Sequence, residues 1–385
     1  MFIFRLLLKN ALRHKLRTLL TLVGLVVALS AFGLLRTIVD AWYAGAEASS
    51  STRLITRSAT SLTVPLPLAY AERLRAVDGI TSVSWSNWFG GIYGTQRNFF
   101  PQFAVDGPSY LPLYPEFLLS DSERLAWLRD RQGALVGRKL ADKFGWKIGD
   151  QIPIRGTIYP GTWTFTLRAI YTGAEASADE SLMFMHWAYI NEASRARNPR
   201  RSDYVGVFVI GINDPNNAAL ISQRVDAQFA NSLAETLTET EKAFQLGFVA
   251  MSEAILVALQ AVSLIIVVII MAVMANTMTM TARERLSEYA TLKALGFAPG
   301  FVVRLLFGES LLIAGAGGLL GLAATLPMAA AFSSVSGSLF PVFRVSPETM
   351  AWQLVAALIV GVVAAAWPAW KMSRLRIVDG LRHVG

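Results

Sequence analysis

Few side chains in this 385-residue chain are placed to do chemistry. With no cysteine, neither a thiolate nucleophile, a thiolate metal site nor a disulfide can form. The three histidines, His14, His186 and His383, lie far apart without carboxylate-rich neighbours, so no metal site is expected. No G-x-S-x-G elbow and no G-x-x-x-x-G-K-[ST] phosphate loop occurs, which leaves no P-loop for ATP. The glycine run from Gly315 to Gly321 looks superficially like a nucleotide-binding motif, but its spacing is wrong and it sits in an apolar stretch. Gly317 and Gly321, four residues apart, are better suited to letting a second helix approach closely. The chain is not expected to be an enzyme.

Two charged features stand out. Glu309 lies well inside an apolar stretch, where a carboxylate is costly and has to pair or line a polar interior. Arg304, five residues earlier, is a candidate partner, and a structural interhelical hydrogen bond is preferred to a proton relay. The second feature is residues 281–297, TARERLSEYATLKALGF, which read as a short amphipathic helix ending at a glycine C-cap, Gly296. Arg283, Glu284, Arg285, Glu288 and Lys293 carry its charge, and Leu286, Ala290, Leu292 and Leu295 its apolar side. Such a helix docks in a groove on a soluble partner or lies solvated at a membrane surface, and the pattern alone does not decide between them.

These features sit among long apolar runs. Residues are 54% hydrophobic and 16% charged, and the mean hydropathy is +0.44. Four runs, 18–39, 249–280, 298–332 and 349–370, exceed the roughly 20 residues that a bilayer crossing needs. Residues 1–17 form an amphipathic helix on the inner leaflet or a plain extension of the first span, which is read as an uncleaved anchor. Arg5, Lys9, Arg13, Lys15 and Arg17 give about +5 there, the 281–297 loop about +1 and the 371–385 tail about +3. The rest of the chain is close to neutral, so the net charge of +8 reports topology and no nucleic-acid partner is implied. Both termini and residues 281–297 are placed in the cytoplasm of a multi-pass bacterial inner-membrane protein, and residues 40–248 outside it. Residues 333–348 form a short outer loop. The second span is longer than a bilayer requires, and one continuous helix is expected to project outward from it.

The outer segment has ordinary composition. Helices are expected near 67–77, 137–144 and 216–230, the last with an Asn cap, and strands near 80–88, 103–106, 151–155, 162–171 and 204–212. That order suggests an extracytoplasmic α+β domain, joined to four transmembrane helices. Trp85, Trp88, Phe89, Phe99 and Phe100 are read as core.

The segment Arg283-Glu284-Arg285 through Glu288-Tyr289-Ala290-Thr291-Leu292-Lys293-Ala294-Leu295-Gly296 resembles the coupling-helix signature of FtsX/MacB-type (type VII) ABC permeases. Glu309-Ser310, the glycine-rich third span, and Pro368-Ala369 ahead of Asp379-Gly380-Leu381-Arg382 are similar to the later motifs of that family. The stretches Gly133–Ala141 and Gly149–Ile154 are similar to its periplasmic core domain. Val378-Asp379-Gly380 departs from the usual Pro-x-x-Ala, and a fused ATPase domain is missing. The resemblance implies a stand-alone MacB/FtsX/LolC-like permease subunit that passes ATP-driven motion of a separate ABC ATPase subunit to the outer domain. Efflux or lipoprotein release at the outer face is the preferred activity, and FtsX-like signalling to a cell-wall hydrolase is the alternative. ATP and Mg would be held by the ATPase, with no cofactor in this chain. A second permease copy or paralogue, membrane lipids and a periplasmic adaptor protein complete the implied partners. A tag inserted within residues 283–295 should be reachable only from the cytoplasmic side; labelling from outside would reverse the topology.

Overall fold

The computed structural model describes residues 2–374 and 376, apart from 12, 176, 198, 200, 201, 337–339 and 341. His383 and the Val378–Arg382 motif of the tail lie outside the described residues. The chain divides into a helical unit (Met1–Ala41, Ser252–Gly337 and Phe343–Gly385) and an α/β unit (Trp42–Met251 and Ser338–Val342).

The chain opens with α1 (Phe2–Ala11) and α2 (Lys15–Glu47). Arg13 and His14 form a turn between them, so the amphipathic stretch is a helix of its own and not an extension of the first span. The α/β unit then runs through β1 (Arg53–Ser58), β2 (Leu66–Pro67), α3 (Tyr70–Arg75), β3 (Ile80–Trp88), β4 (Gly91–Ile92), β5 (Gln102–Val105) and α4 (Gly107–Tyr110). Next come β6 (Phe117–Leu118), α5 (Asp121–Arg129), β7 (Gly133–Gly137), α6 (Arg138–Phe144), β8 (Gln151–Gly156), β9 (Gly161–Gly173) and β10 (Met183–His186). It closes with α7 (Trp187–Arg197), β11 (Tyr204–Val205), β12 (Val207–Ile212), α8 (Ala218–Phe229), β13 (Thr236–Thr240) and α9 (Glu241–Ala250). The helical unit resumes with α10 (Glu253–Glu284), α11 (Leu286–Ala294), α12 (Pro299–Ser336) and α13 (Pro347–Ser373).

Four of these helices, α2, α10, α12 and α13, are long and apolar enough to cross a membrane. In lipid a backbone must satisfy its own hydrogen bonds, which is why runs apolar on every face fold as unbroken helices. The expected continuous helix out of the second span is not formed: α9 stops at Ala250 and a new helix starts after Ser252. The Ser252 carbonyl accepts the Ile255 and Leu256 N–H groups at 3.0 and 3.1 Å, the first bonds of the new helix.

The bundle core is built from Leu25 and Leu29 of α2, Val267, Ile270, Met274 and Met278 of α10, Ile313 and Ala314 of α12, and small residues of α13. A Cβ on Gly317 would stand 2.7 Å from the Leu25 Cβ, and one on Gly321 3.1 Å from the Leu29 Cβ. Without lipid-driven hydrophobic attraction, close backbone approach of this kind supplies the packing. Away from α11 the helices are pinned by polar groups. Asp40 accepts from Ser346 and Thr349, Arg36 pairs with Glu348, and the buried Gln353 donates to the Leu29 carbonyl and to Thr325.

In the α/β unit the sheet runs β13-β1-β12-β3-β5-β10-β7-β9-β8-β4, with β6 on β9. It is mixed: β5/β10 and β7/β9 are parallel and the other neighbours antiparallel. Both faces are covered, so successive residues enter different cores. On β12, Phe208 and Ile210 face one core and Val209 the other; on β7, Ala134 and Val136 oppose Leu135. A register shift opposite Ala134/Leu135 lets Arg168 of β9 drop out of the alternation and reach Asp130 at 2.7 Å. Gly137 lies so near Glu180 that a Cβ would be 2.1 Å from its carbonyl oxygen, which excludes any side chain there.

Several local expectations change. The turn before α8 is capped by Asp214, whose carboxylate accepts the Asn216 N–H at 2.9 Å, while Asn217 makes no side-chain cap. Phe89 and Phe100 are fully buried and Trp85 half-buried, but Trp88 and Phe99 are more than 40% exposed. Helix α5 is not among the helices expected from sequence, although Ser120 caps it by accepting the Glu123 N–H and the S-x-x-E spacing is a legible signal.

One buried charge network ties β1, the loop before β6 and α9 together. Arg53 donates to Glu241 at 2.9 Å, to Glu116 at 2.5 and 3.0 Å and to the Leu113 carbonyl at 2.8 Å. Arg53→Met should lower the stability of the full chain in detergent by about 3 kcal/mol, because Glu241 is left buried without its cation. An unchanged unfolding midpoint for the α/β unit would rule this role out.

Candidate functional site

The short link between the second and third long helices is where the charged residues of the helical unit concentrate. Its sequence has a helix-period face: Arg285, Glu288, Tyr289, Leu292 and Lys293 recur at steps of three and four and turn toward the bundle. Tyr289 is fully buried with Ala282, Val302, Leu306, Ala369 and Met372, so the link packs on α12 and α13 and not in solvent. Burial pushes the Tyr289 hydroxyl up to about 12, against the pull of the Arg285 charge. The end of α11 is a Schellman turn: Gly296 N–H reaches the Lys293 carbonyl and Phe297 N–H the Leu292 carbonyl, both at 3.1 Å. Gly296 sits at φ +92°, a conformation that glycine adopts without strain.

Each inward charge has a partner elsewhere in the helical unit. Arg285 donates to Glu309 of α12 at 2.9 Å and to Glu288 at 3.1 Å. Glu309 is 3% exposed, so the pair is buried. Arg304 is therefore not the partner of Glu309: five residues along a helix turn the side chains about 140° apart, and Arg304 points out to an exposed face. Lys293 donates to the Met372 and Ser373 carbonyls at 3.0 and 2.8 Å, closing the C-terminus of α13, and burial lowers its ammonium. The turn after α1 and the start of α2 join the same cluster, since Arg13 bonds Glu288 and Arg17 grips Glu284 with two 2.7 Å bonds. His14 lies 3.4 Å from that second carboxylate. Leu7 of α1 packs against Gly308, where a Cβ would come within 2.8 Å.

Burial pushes the Glu288 carboxyl up, but hydrogen bonds from Arg13 and Arg285 outweigh it and hold it below the usual glutamate range. A carboxyl held low contributes stability above its unfolded pKa of about 4.3, lost only as pH falls through the lower folded value. The link from Arg13 to α11 therefore persists across the neutral range.

Of the residues singled out in the sequence, Arg285, Glu288, Lys293 and Glu309 come together with Tyr289, and Leu292 packs half-buried beside them. Glu284 faces the start of α2, Arg283 is exposed without an ion pair among the described residues, and Gly317 and Gly321 serve α2 further along α12. In sequence, Arg13 and Arg17 read only as topology signals. Their spacing from each other hints at nothing more, because their partners lie some 270 residues away.

The α/β unit offers a second feature, a cleft of about 1900 Å³ whose lining runs along β3 and β12 and takes in side chains of both cores. Ser82, Ser86, Gly206 and Gly211 are among its small lining residues, and Trp88, Phe103, Trp163 and Phe248 among its aromatic ones. His186, outside the lining of this cleft, is stacked on Trp127 with its Nε2 2.9 Å from the Trp127 carbonyl, and burial lowers its pKa. Among the described residues no group of His, Asp and Glu is gathered to hold a metal.

Comparison with known proteins sets this geometry in a family. Residues 18–228 match the MacB-like periplasmic core domain and residues 261–377 the FtsX-like permease C-terminal family. The chain is similar to the macrolide export ATP-binding/permease protein MacB of Sodalis glossinidius, 31% identical over 106 residues, 28% of this chain and 16% of that protein. It is also similar to an uncharacterized ABC transporter permease protein of Mycobacterium tuberculosis, Rv0987, 27% identical over 180 residues, 46% of this chain and 20% of that one. The matched stretches thus cover a fifth or less of those relatives' length. Solved structures it is similar to include the extracellular domain of the noncanonic ABC-type transporter YknZ from Gram-positive bacteria (9% identity, TM-score 0.35, 49% of this chain and all of that one). Another is the periplasmic region of MacB from Actinobacillus actinomycetemcomitans (7%, TM-score 0.35, 52% and 94%). Scores of that size add no weight to the assignment, which rests on the family matches. With one of them covering more than half of its length and the other its three later membrane helices, the chain belongs to the MacB/FtsX-type ABC transporter permeases.

Proposed function

We propose that this chain is the permease subunit of an ABC system in which a separate ATPase pushes on residues 285–297 and the membrane helices carry the motion to the α/β domain. The observation that supports this most is the set of inward bonds from that link to Arg13, α12 and α13, since a force applied to it is delivered to three parts of the bundle at once. In this reading the bilayer is the bacterial inner membrane, the termini and residues 285–297 are cytoplasmic, and the α/β domain is outside. Two copies, or two related permeases, stand over a pair of ATPase subunits that hold ATP and Mg. Substrate is exported or extracted at the outer face. The cleft over β3 and β12 supplies a concave, largely apolar surface for that step, the character expected of a ligand site.

Because the chain has no cysteine, single-cysteine variants report position directly. The Thr291→Cys variant, at an exposed position on α11, should react with a membrane-impermeant maleimide only after the cells are opened. Leu233→Cys, at a position 91% exposed, should react in intact cells. The tagged full chain purified from native membranes should bring down a P-loop ATPase and show ATP turnover. Reaction of the Thr291→Cys variant in intact cells, or absence of any ATPase from the purified material, would overturn the reading.

A further inference from the structure

Beside Glu309 the helical unit encloses a small polar cavity of about 20 Å³. Asn10 of α1, Thr21 of α2, Thr277 and Thr281 of α10 and Glu309 of α12 are among its lining residues. That is room for one water, which needs at least about 10–15 Å³ and two to four polar partners. The partners come in the right mix of donors and acceptors. The Asn10 Nδ2 is buried and has no hydrogen-bond partner among the described residues. Thr281 is 9% exposed, and its hydroxyl makes no hydrogen bond among the described residues, which leaves a second donor. Glu309 spends one carboxylate oxygen, Oε2, on Arg285, and Oε1 is left to accept. Thr21 and Thr277 donate to the Arg17 and Val273 carbonyls at 2.9 and 3.0 Å, so their oxygens are acceptors too.

Charge decides what such a cavity takes. The cations of this cluster, Arg13, Arg17 and Arg285, are bonded to Glu288, Glu284 and Glu309, so the cluster is balanced as it stands. His14, which also lines the cavity, is half-exposed and 3.4 Å from Glu284. A metal ion would add charge near Arg17 and Arg285, and an anion would add it beside Glu309; a neutral molecule adds none. We infer that the cavity binds a single ordered water. It accepts from Asn10 and Thr281 and donates to Glu309 and to the Thr21 or Thr277 oxygen. A water buried in this way is part of the structure, because its removal strands the polar groups it serves. It gives Glu309 a second partner besides Arg285, and joins α1, α2 and α10 to α12 without a direct bond from α1 to the carboxylate. Asn10 and Thr281 are then positioning residues for Glu309. None of this depends on which partner the chain meets in the cytoplasm.

A crystal structure of the full chain in lipid, sharp enough to show ordered waters elsewhere in the bundle, tests the site. One peak should stand about 3 Å from both Asn10 Nδ2 and Glu309 Oε1, equally high in sodium and in choline buffer. Asn10→Leu should abolish the peak. Thr281→Val keeps the shape of the site but removes a donor, so the peak should weaken while the Arg285–Glu309 bond stays. The same Thr281→Val change should lower the thermal midpoint of the chain in detergent, whereas at a dry site it would leave the midpoint unchanged or raise it. If Asn10→Leu does not fold, Thr281→Val carries the test alone. No peak at the site when neighbouring buried waters are visible, or a peak that survives Asn10→Leu, would overturn the inference. A midpoint that Thr281→Val leaves alone or raises would do the same. A peak seen in sodium and lost in choline would identify a cation and overturn it as well.

Discussion

The Arg285–Glu309 pair is the constraint around which the helical unit is arranged. A carboxylate on an apolar helix is tolerated only with a partner, and here the partner comes from outside that helix, off the link that precedes it. Breaking such a buried pair from one side costs about 3 kcal/mol or more, because the remaining charge has no water to return to. That asymmetry holds α11 against α12 in one register. Once it is held, Tyr289 is forced into the space between α12 and α13, and Lys293 comes within reach of the carbonyls that end α13. The same Glu288 that steadies Arg285 also collects Arg13, so the N-terminal segment is drawn into the cluster.

At their other end, α2, α12 and α13 are tied by the Arg36–Glu348 ion pair together with less charged bonds. Asp40, Ser346, Thr349 and Gln353 make neutral or singly charged hydrogen bonds between helices, and glycines bring the backbones together between the two clusters. A helix pinned at both ends and packed closely in between is held in register, since neither end can slip without exposing a polar group to lipid. By contrast α10 contributes one stripe, Val267, Ile270, Met274 and Met278, and leaves the rest of its circumference apolar and exposed. That exposed surface suits lipid or a second permease.

The segments through which the chain enters and leaves the α/β domain are themselves anchored by buried charge. Arg53 begins the first strand after α2, Glu241 begins α9, and the two are bonded to each other and, through Arg53, to Glu116. Chain entry and chain exit of the domain are thus joined inside it. The middle strands of this sheet are covered on both faces, which explains why β7 and β10 read as short buried runs and are not evident when alternation is the criterion, whereas β13 is a polar strand at the sheet edge. The parallel β5/β10 and β7/β9 pairs bring together strands distant in sequence, a pairing that no local pattern announces.

Residue order alone was enough to reach the four membrane-length helices, the mixed α/β character of the segment between the first two, the glycine stop of α11 and the family. Those properties are local: apolar length, periodicity, charge placement and the φ demanded of Gly296 can all be read within a window of a few tens of residues. Which charges meet became visible in three dimensions and not before. Arg304 is nearer to Glu309 along the chain than Arg285 is, yet the turn of the helix sends them apart, and Arg13 and Arg17 find their acids across most of the chain's length. Ion pairs depend on which helix faces close on one another, and that is settled by packing of the whole bundle, not by any neighbourhood of the sequence.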